Sequence, residues 1–413
     1  MTSVPSRRTT VAVIGAGHSG LAVSHRLGAE GIDHVVLERG QVAHSWRTQR
    51  WDSLRLLTPS WMNRLPGLPD QPLGPAEADE FLTAAQVASL VADYADVIAA
   101  PVHENVEVHR VSPGSSGYLV ETSAGPWSAG HVVLATGSVR GVVPVLAAEL
   151  PPDLPSVHAI DYRRPSQLPA GGVLVVGAAA SGVQIAAELQ ASGRQVTLAV
   201  GEHVRVPRRY RGRDIFAWIE EAGILDERWD ELDDITRARR LSSFQLVGGT
   251  TTLDLNTLQE AGVRVVGKLA GLRDSFALFS GSLANLAALA DLKANRLLSG
   301  IDQTFGGSGE RLEPTRVPEP LLSLSLTSGE IGSVVWATGI KPDHGFLDAD
   351  VFDHKGAIRH DGGVTDLPGL YVTGLPVLRR RRSTYIDGAR DDSADLVAHL
   401  SRRLASPTRR TAG

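Results

Sequence analysis

Residues 11–20 read Val-Ala-Val-Ile-Gly-Ala-Gly-His-Ser-Gly, and the reading of this stretch decides the fold. The apolar run Val11 to Ile14 has the character of a buried parallel strand. The apolar spacing resumes as a helix through Leu21, Ala22, Val23 and Leu27. Between the two lies G-x-G-x-x-G, with the strand before and the helix after that a dinucleotide turn requires. Gly15 permits the tight turn, Gly17 lets backbone amides approach a pyrophosphate, and Gly20 lets helix and sheet pack closely. The helix N-terminus, at His18 and Ser19, aims free N–H groups and partial positive charge at the phosphates. A second strand, His34 to Leu37, ends in Glu38, about 20 residues past the glycines, where a carboxylate holds a ribose hydroxyl. An ordinary glycine-rich turn accounts for the glycines alone. It does not account for the strand, the helix and the acid in register with them.

At 413 residues the chain is long enough for two or three domains. An apolar content of 42% with 21% charged residues is that of a globular protein. The net charge of −5 gives no reason to expect a nucleic-acid partner. No apolar run approaches the roughly 18 residues of a membrane span. The first ten residues, MTSVPSRRTT, carry no hydrophobic secretory segment, so a cytoplasmic location is expected. There is no cysteine. That excludes disulfides, thiolate-held metals and a C-x-x-C redox pair, so redox chemistry has to reside on an organic cofactor. No metal site is read from the sequence.

Ser45 to Gly67 contains Trp46, Trp51 and Trp61, and reads equally as a core-plugging loop or as a wall against a planar ligand. Pro66 to Pro75 reads as a surface loop and Glu77 to Ala100 as a helix. Asn105 to Val111 and Tyr118 to Thr122 read as strands, and His131 onward as a buried strand ending in Ala135-Thr136-Gly137. Pro144 to Pro155 reads as a linker, with a domain boundary just beyond it. A second strand–turn–helix follows from Val173 to Gly182, with Ala179 in the place of the middle glycine, and a strand from Gln195 to Val200 completes the unit.

The spacing from Gly15 to Glu38, 23 positions, leads from Gly177 to Val200, which is no acid. Arg205, Arg208, Arg209, Arg211 and Arg213 follow, and guanidinium groups suit a phosphorylated ribose. A solvated basic loop is the plainer reading. The position favours NADPH over NADH, with Glu202 weighing the other way. Asp214 to Gly223 and Ser282 to Leu298 read as helices, while 226–260 shows no clear pattern. Gly306 to Pro320 is expected to lead back to the first domain. Val334 to Gly339 echoes Val132 to Gly137, Leu370 to Gly374 is a last buried strand, and Asp391 to Leu404 a last helix.

Together these stretches resemble, over nearly the whole chain, the two-dinucleotide-domain flavoproteins, and most closely the bacterial flavin-containing monooxygenase-like group. The fold this implies is α/β with two Rossmann-like domains, the NADPH domain inserted into the FAD domain: residues 1–160, 161–320 with a variable insert, and 321–413. The resemblance implies FAD and NADPH as cofactors. It places cofactor contacts at Gly15, Gly17, His18, Ser19, Gly20, Glu38, Arg39, Trp46, Arg47, Leu57, Thr58, Met62, Val106, Ala135, Thr136 and Gly137. The second set is Gly177, Ser181, Gly182, Arg208, Arg209, Thr338 and Gly339. Of the group's F-x-G-x-x-x-H-x-x-x-Y/W motif only His158 and Tyr162 remain, Pro152 and Leu154 standing for Phe and Gly. His158, Tyr162, Tyr385 and Asp387 are the rim candidates, and no general base is nominated.

The activity implied is hydride transfer from NADPH to FAD. Oxygen addition at flavin C4a would follow, with delivery of one oxygen atom to nitrogen, sulfur or a carbonyl of a small substrate. Leu57 stands where the group often has Asn, which favours a rival reading: a flavoprotein reductase that does not oxygenate. The expected partners are a small substrate and O2, with neither nucleic acid nor membrane, and a homodimer is the one assembly considered.

Overall fold

A computed structural model describes residues 7–69, 80–240 and 243–405. The first unit opens with β1 (Arg7–Ile14), α1 (His18–Ala29) and β2 (His34–Leu37). Next come α2 (Ala84–Val97), β3 (Val102–His103), β4 (Val108–Gly114), β5 (Gly117–Thr122) and β6 (Trp127–Leu134). Thr83 and Gln86 form a capping box that sets the start of α2. The helix expected from Glu77 thus begins only at Ala84, residues 80–83 lying outside any helix, while Glu77 itself and most of the Pro66 to Pro75 loop lie outside the described residues.

The second unit contains β7 (Ser156–His158), β8 (Gly172–Val176), α3 (Ala180–Ala191), β9 (Val196–Ala199), β10 (Arg264–Val266), α4 (Leu283–Phe305) and β11 (Ile331–Trp336). The chain then returns to the first sheet through β12 (His360–Asp361), β13 (Val364–Thr365) and β14 (Leu370–Val372), and α5 (Gly388–Ala405) closes the described chain.

The first sheet runs β12-β13-β14-β6-β1-β2-β3, with β5 on β6 and β4 on β5. Its centre is parallel: Val11 pairs with His34 on one side and with His131 on the other. Alternation along β1 sends Val11 and Val13 into a layer with Leu21, Val91 and Leu396 from the helices. Ala12 and Ile14 face Val111, Val120 and Leu347 on the opposite side. Burial on both faces is why these strands are continuous apolar runs.

The second sheet, β10-β9-β8-β11-β7, is parallel throughout. It takes β7 from before residue 160 and β11 from after residue 320, so its strands reach past both expected domain boundaries. The reason is pairing: His158 lies opposite Trp336, and Val176 lies opposite Trp336 on the other side. Nor does 306–320 lead back to the first unit. Ser323–Ser325 joins a three-stranded antiparallel layer with Leu269–Arg273 and Phe276–Phe279, and the return comes only after Trp336. The outgoing and returning connections pair with each other, Gly141 opposite Ile340.

Candidate functional site: a cleft between two glycine turns

Parallel strands of both units end at the same place, and a cleft of about 1210 Å³ opens there. The first turn presents Gly15, Gly17, His18 and Ser19; β2 presents Glu38 and Arg39; the end of β6 presents Ala135, Thr136 and Gly137. The second turn presents Gly177, Ala178, Ala179 and Ser181 to the same volume, with Thr338 and Gly339 beyond β11. Trp46 and Val106 complete the wall, together with His158.

Local sterics fix both turns. Gly15 has φ +108°, and a β-carbon there would lie 2.6 Å from the Ala135 carbonyl oxygen. At Gly17 a β-carbon would meet no protein atom within 4 Å, so the space above this amide is open for a phosphate. The second turn repeats the first: Gly177 has φ +109°, and Ala337 O would lie 2.3 Å from its β-carbon. Ala179, at the middle position, is the residue preceding α3, in extended conformation. The Glu38 carboxylate accepts from the Ala16 amide at 2.8 Å and the Gly40 amide at 3.0 Å, and so is held at the cleft by the turn itself.

Two buried polar atoms on the cleft wall, His18 Nε2 and Thr136 Oγ1, have no hydrogen-bond partner among the described residues. Burial pulls the His18 imidazole down to about 4, so it is neutral at physiological pH. Open space at Gly17, a carboxylate held just past β2 and polar atoms without partners among the described residues on one wall fit a dinucleotide in the first turn.

Other expected residues lie elsewhere. Gly20 and Gly182 are packing positions, their β-carbons meeting Gly15 O at 2.0 Å and Gly177 O at 1.8 Å. Arg47 donates to the Val42 carbonyl at 3.1 Å. Leu57 and Met62 pack into an apolar cluster with Val206 and Phe216, and Thr58 is buried; none of the three lines the cleft. The arginine run is the clearest correction. Arg208 is fully buried: its Nε donates to Asp214 at 2.8 Å, its Nη1 to the Leu57 carbonyl at 2.7 Å, and its guanidinium lies 4.5 Å over Phe81. Arg209 is exposed and donates to Gly212 O. Arg205 is paired with Asp254 and Asp291, Arg211 with Asp302, and Arg213 with Glu221. Arg205, Arg208, Arg211 and Arg213 are thus neutralised by carboxylates of the insert, and none of the five arginines lines the cleft.

The rim candidates also divide. His158 Nε2–H donates to Gly339 O at 3.0 Å while its Nδ1 accepts from the Ile160 amide at 3.1 Å, which fixes one tautomer at the cleft. Tyr162 is a core residue whose hydroxyl donates to Glu188 at 2.7 Å, and burial, then this bond, raise it far above the ordinary phenol range. Burial likewise raises Tyr385 to about 12 and Asp387 to about 6. They stand just before α5, where Asp387 Oδ2 accepts from Arg382 at 2.9 Å and Oδ1 has no partner among the described residues. Their neighbour Thr384 lines the cleft. Arg50, stacked 4.8 Å over Trp46, Glu202 and the pair Arg239–Arg240 also line it. The last pair sits in the patternless 226–260 segment and had no local signal.

Among the described residues no helix is long and apolar enough to cross a membrane, and no group of three metal-ligating side chains converges. A family model described as pyridine nucleotide-disulphide oxidoreductase matches residues 12–222. An oxidoreductase of Geobacillus kaustophilus described as CzcO-like is 30% identical over 94% of this chain and 97% of its own. A probable indole-3-pyruvate monooxygenase of Arabidopsis thaliana, YUCCA9, is 28% identical over 59% of this chain and 58% of its own. The solved flavin-containing monooxygenase of Stenotrophomonas maltophilia superposes with TM-score 0.68 at 19% identity, covering 97% of this chain and 100% of that one. FAD and NADPH are the cofactors that suit the two turns. With its two glycine turns opening on one cleft, the chain belongs to the pyridine nucleotide-disulphide oxidoreductase family and is a flavin-dependent oxidoreductase.

Proposed function

We propose that this protein is an FAD-dependent monooxygenase that consumes NADPH and transfers one oxygen atom of O2 to nitrogen, sulfur or a carbonyl of a small organic substrate. The observation that carries this reading is the shared cleft: both nucleotide turns open on it in a chain that has no cysteine. Electrons arriving on the flavin therefore have no dithiol of this chain to pass to, and a diffusible acceptor fits. FAD, when bound, supplies the hydride acceptor and the oxygen chemistry. The protein's own part is positioning. Amides of the first turn and the Glu38 carboxylate hold the adenosine-diphosphate end, and neutral His18 and Thr136 offer hydrogen bonds from the cleft wall. Trp46, with Arg50 on its face, shields that wall from water.

The test supplies the purified, FAD-loaded protein with NADPH, ¹⁸O2 and an aryl methyl sulfide. The expected result is sulfoxide carrying ¹⁸O. A second reading, an NAD(P)H-dependent flavoprotein reductase, is favoured by Leu57, whose side chain packs into the apolar cluster and offers the cleft no hydrogen bond. It expects NADPH oxidation matched by hydrogen peroxide, with unlabelled sulfide recovered.

A further inference from the structure

The arginines that follow β9 in sequence are engaged elsewhere, so the adenosine ribose of the second nucleotide must meet other groups. Gly201 and Glu202, just beyond β9, line the cleft, and so do Arg239, Arg240 and Ser243. The topology brings these two segments together. Val204–Arg205 pairs in parallel with Phe244–Gln245, Val204 opposite Phe244, and Glu202 and Ser243, each within two residues of that pair, line the same cleft. The second segment is tied to the nucleotide turn itself, Gln245 Nε2 donating to the Ala178 carbonyl at 2.6 Å. At its other end Arg239 Nε donates to Val377 O at 3.4 Å. Arg240 is exposed, and no carboxylate among the described residues pairs with it. It thus differs from Arg205, Arg208, Arg211 and Arg213, all of which have carboxylate partners.

A carboxylate beyond the second strand of a dinucleotide unit accepts from the ribose 2′-hydroxyl and repels a 2′-phosphate, whereas a guanidinium does the reverse. Here one of each lines the same cleft. We propose that Glu202 and Arg240 together set the choice of nicotinamide nucleotide, Glu202 taking the 2′-hydroxyl of NADH and Arg240 the 2′-phosphate of NADPH, so that the protein accepts both. This rests on reading the second turn as the reductant site.

The test is calorimetric and needs no turnover. FAD-loaded wild type, Glu202→Gln and Arg240→Gln are titrated with 5′-AMP and with 2′,5′-ADP, which differ only in the 2′-phosphate. Flavin absorbance and circular dichroism check that each variant is folded. Wild type is expected to bind both nucleotides. Glu202→Gln is expected to tighten 2′,5′-ADP relative to AMP by roughly tenfold, and Arg240→Gln to weaken it by roughly tenfold with AMP unchanged. A ratio unmoved in both variants overturns the proposal, as does equal weakening of both nucleotides by Arg240→Gln, which would make Arg240 a contact to the shared 5′-phosphate. If wild type binds neither nucleotide while holding FAD, the reading of the second turn has failed instead.

Discussion

Arg208 shows how far a side chain's role depends on residues the local sequence does not mention. In the run HVRVPRRYRGR it is one arginine among five, and the spacing from Gly177 points it at a ribose phosphate. What decides otherwise is its enclosure: the Leu57 carbonyl and Phe81 come from 151 and 127 positions upstream (208 − 57 and 208 − 81). Asp254, Asp291 and Asp302, which neutralise its neighbours, lie 49, 86 and 91 positions downstream of them. Truncating one member of a buried pair strands the other charge, so Arg208→Ala is expected to cost about 3–5 kcal/mol in urea unfolding. The affinity of the folded fraction for 2′,5′-ADP should stay at the wild-type value, since the side chain does not reach the cleft. Asp387 makes a second prediction at this scale. Burial raises its carboxyl to about 6 in the folded protein, above its unfolded value of 3.8. The fold therefore binds the extra proton between those values, and the stabilisation it brings is present below pH 3.8 and lost as pH rises through 6. Asp387→Asn does not titrate, and Arg382 keeps Glu220 and Asp226. The variant should thus gain on wild type by about 2–3 kcal/mol between pH 4 and pH 7, read from unfolding curves at each pH.

At the scale of elements, the two strand–turn–helix units were the most legible part of the chain because their causes are local. A strand buried on both faces has to be a continuous apolar run, and a backbone at φ +108° with a carbonyl 2.6 Å from the β-carbon site has to be glycine. These same facts separate two substitutions that look alike. Gly15→Ala puts a methyl against the Ala135 carbonyl and demands a left-handed backbone, so it should destabilise the first unit and yield little folded protein. Gly17→Ala sits at φ −82° with no protein atom within 4 Å, so the apoprotein should keep its unfolding midpoint and lose FAD affinity by tenfold or more. Retention of flavin through purification, set beside apoprotein stability, reads the difference. The insert was not legible for the converse reason. Ile235–Arg240 and Phe244–Gln245 are short, and the strand that Phe244–Gln245 pairs with lies forty positions away (244 − 204), so no periodicity within the segment marks them. The second sheet was misbounded for a related reason. β11 becomes a member by pairing with β8, and β7 by pairing with β11, and neither strand carries a local sign of which sheet it joins.

The whole molecule behaves as one body if its two units share a core, and they do. Trp51, Leu54 and Ala84, which precede the second unit by more than 70 positions, are buried in a single apolar cluster with Val173, Val183, Leu198 and Leu255. Trp46 packs against this cluster and against the helical core of the first unit as well. Two polar ties reinforce the seam. Ser53 donates to Glu188 on α3 at 2.7 Å, and Arg208 of the insert holds the Leu57 carbonyl. A seam of this kind cannot be opened without exposing apolar surface at about 25 cal/mol per Å², so independent rocking of the two units is costly. Unfolding of the apoprotein should therefore be a single transition, with tryptophan fluorescence and far-ultraviolet circular dichroism coinciding. Trp51→Ala removes a buried tryptophan from the seam and should cost about 3–5 kcal/mol. Because the two sheets keep their own helical layers, the two probes should then separate into two transitions. The second unit, which loses part of its cover, should melt first, and FAD, bound to the other unit, should raise only the later midpoint. Non-coincident transitions already in the wild-type apoprotein would show that the shared cluster does not couple the units.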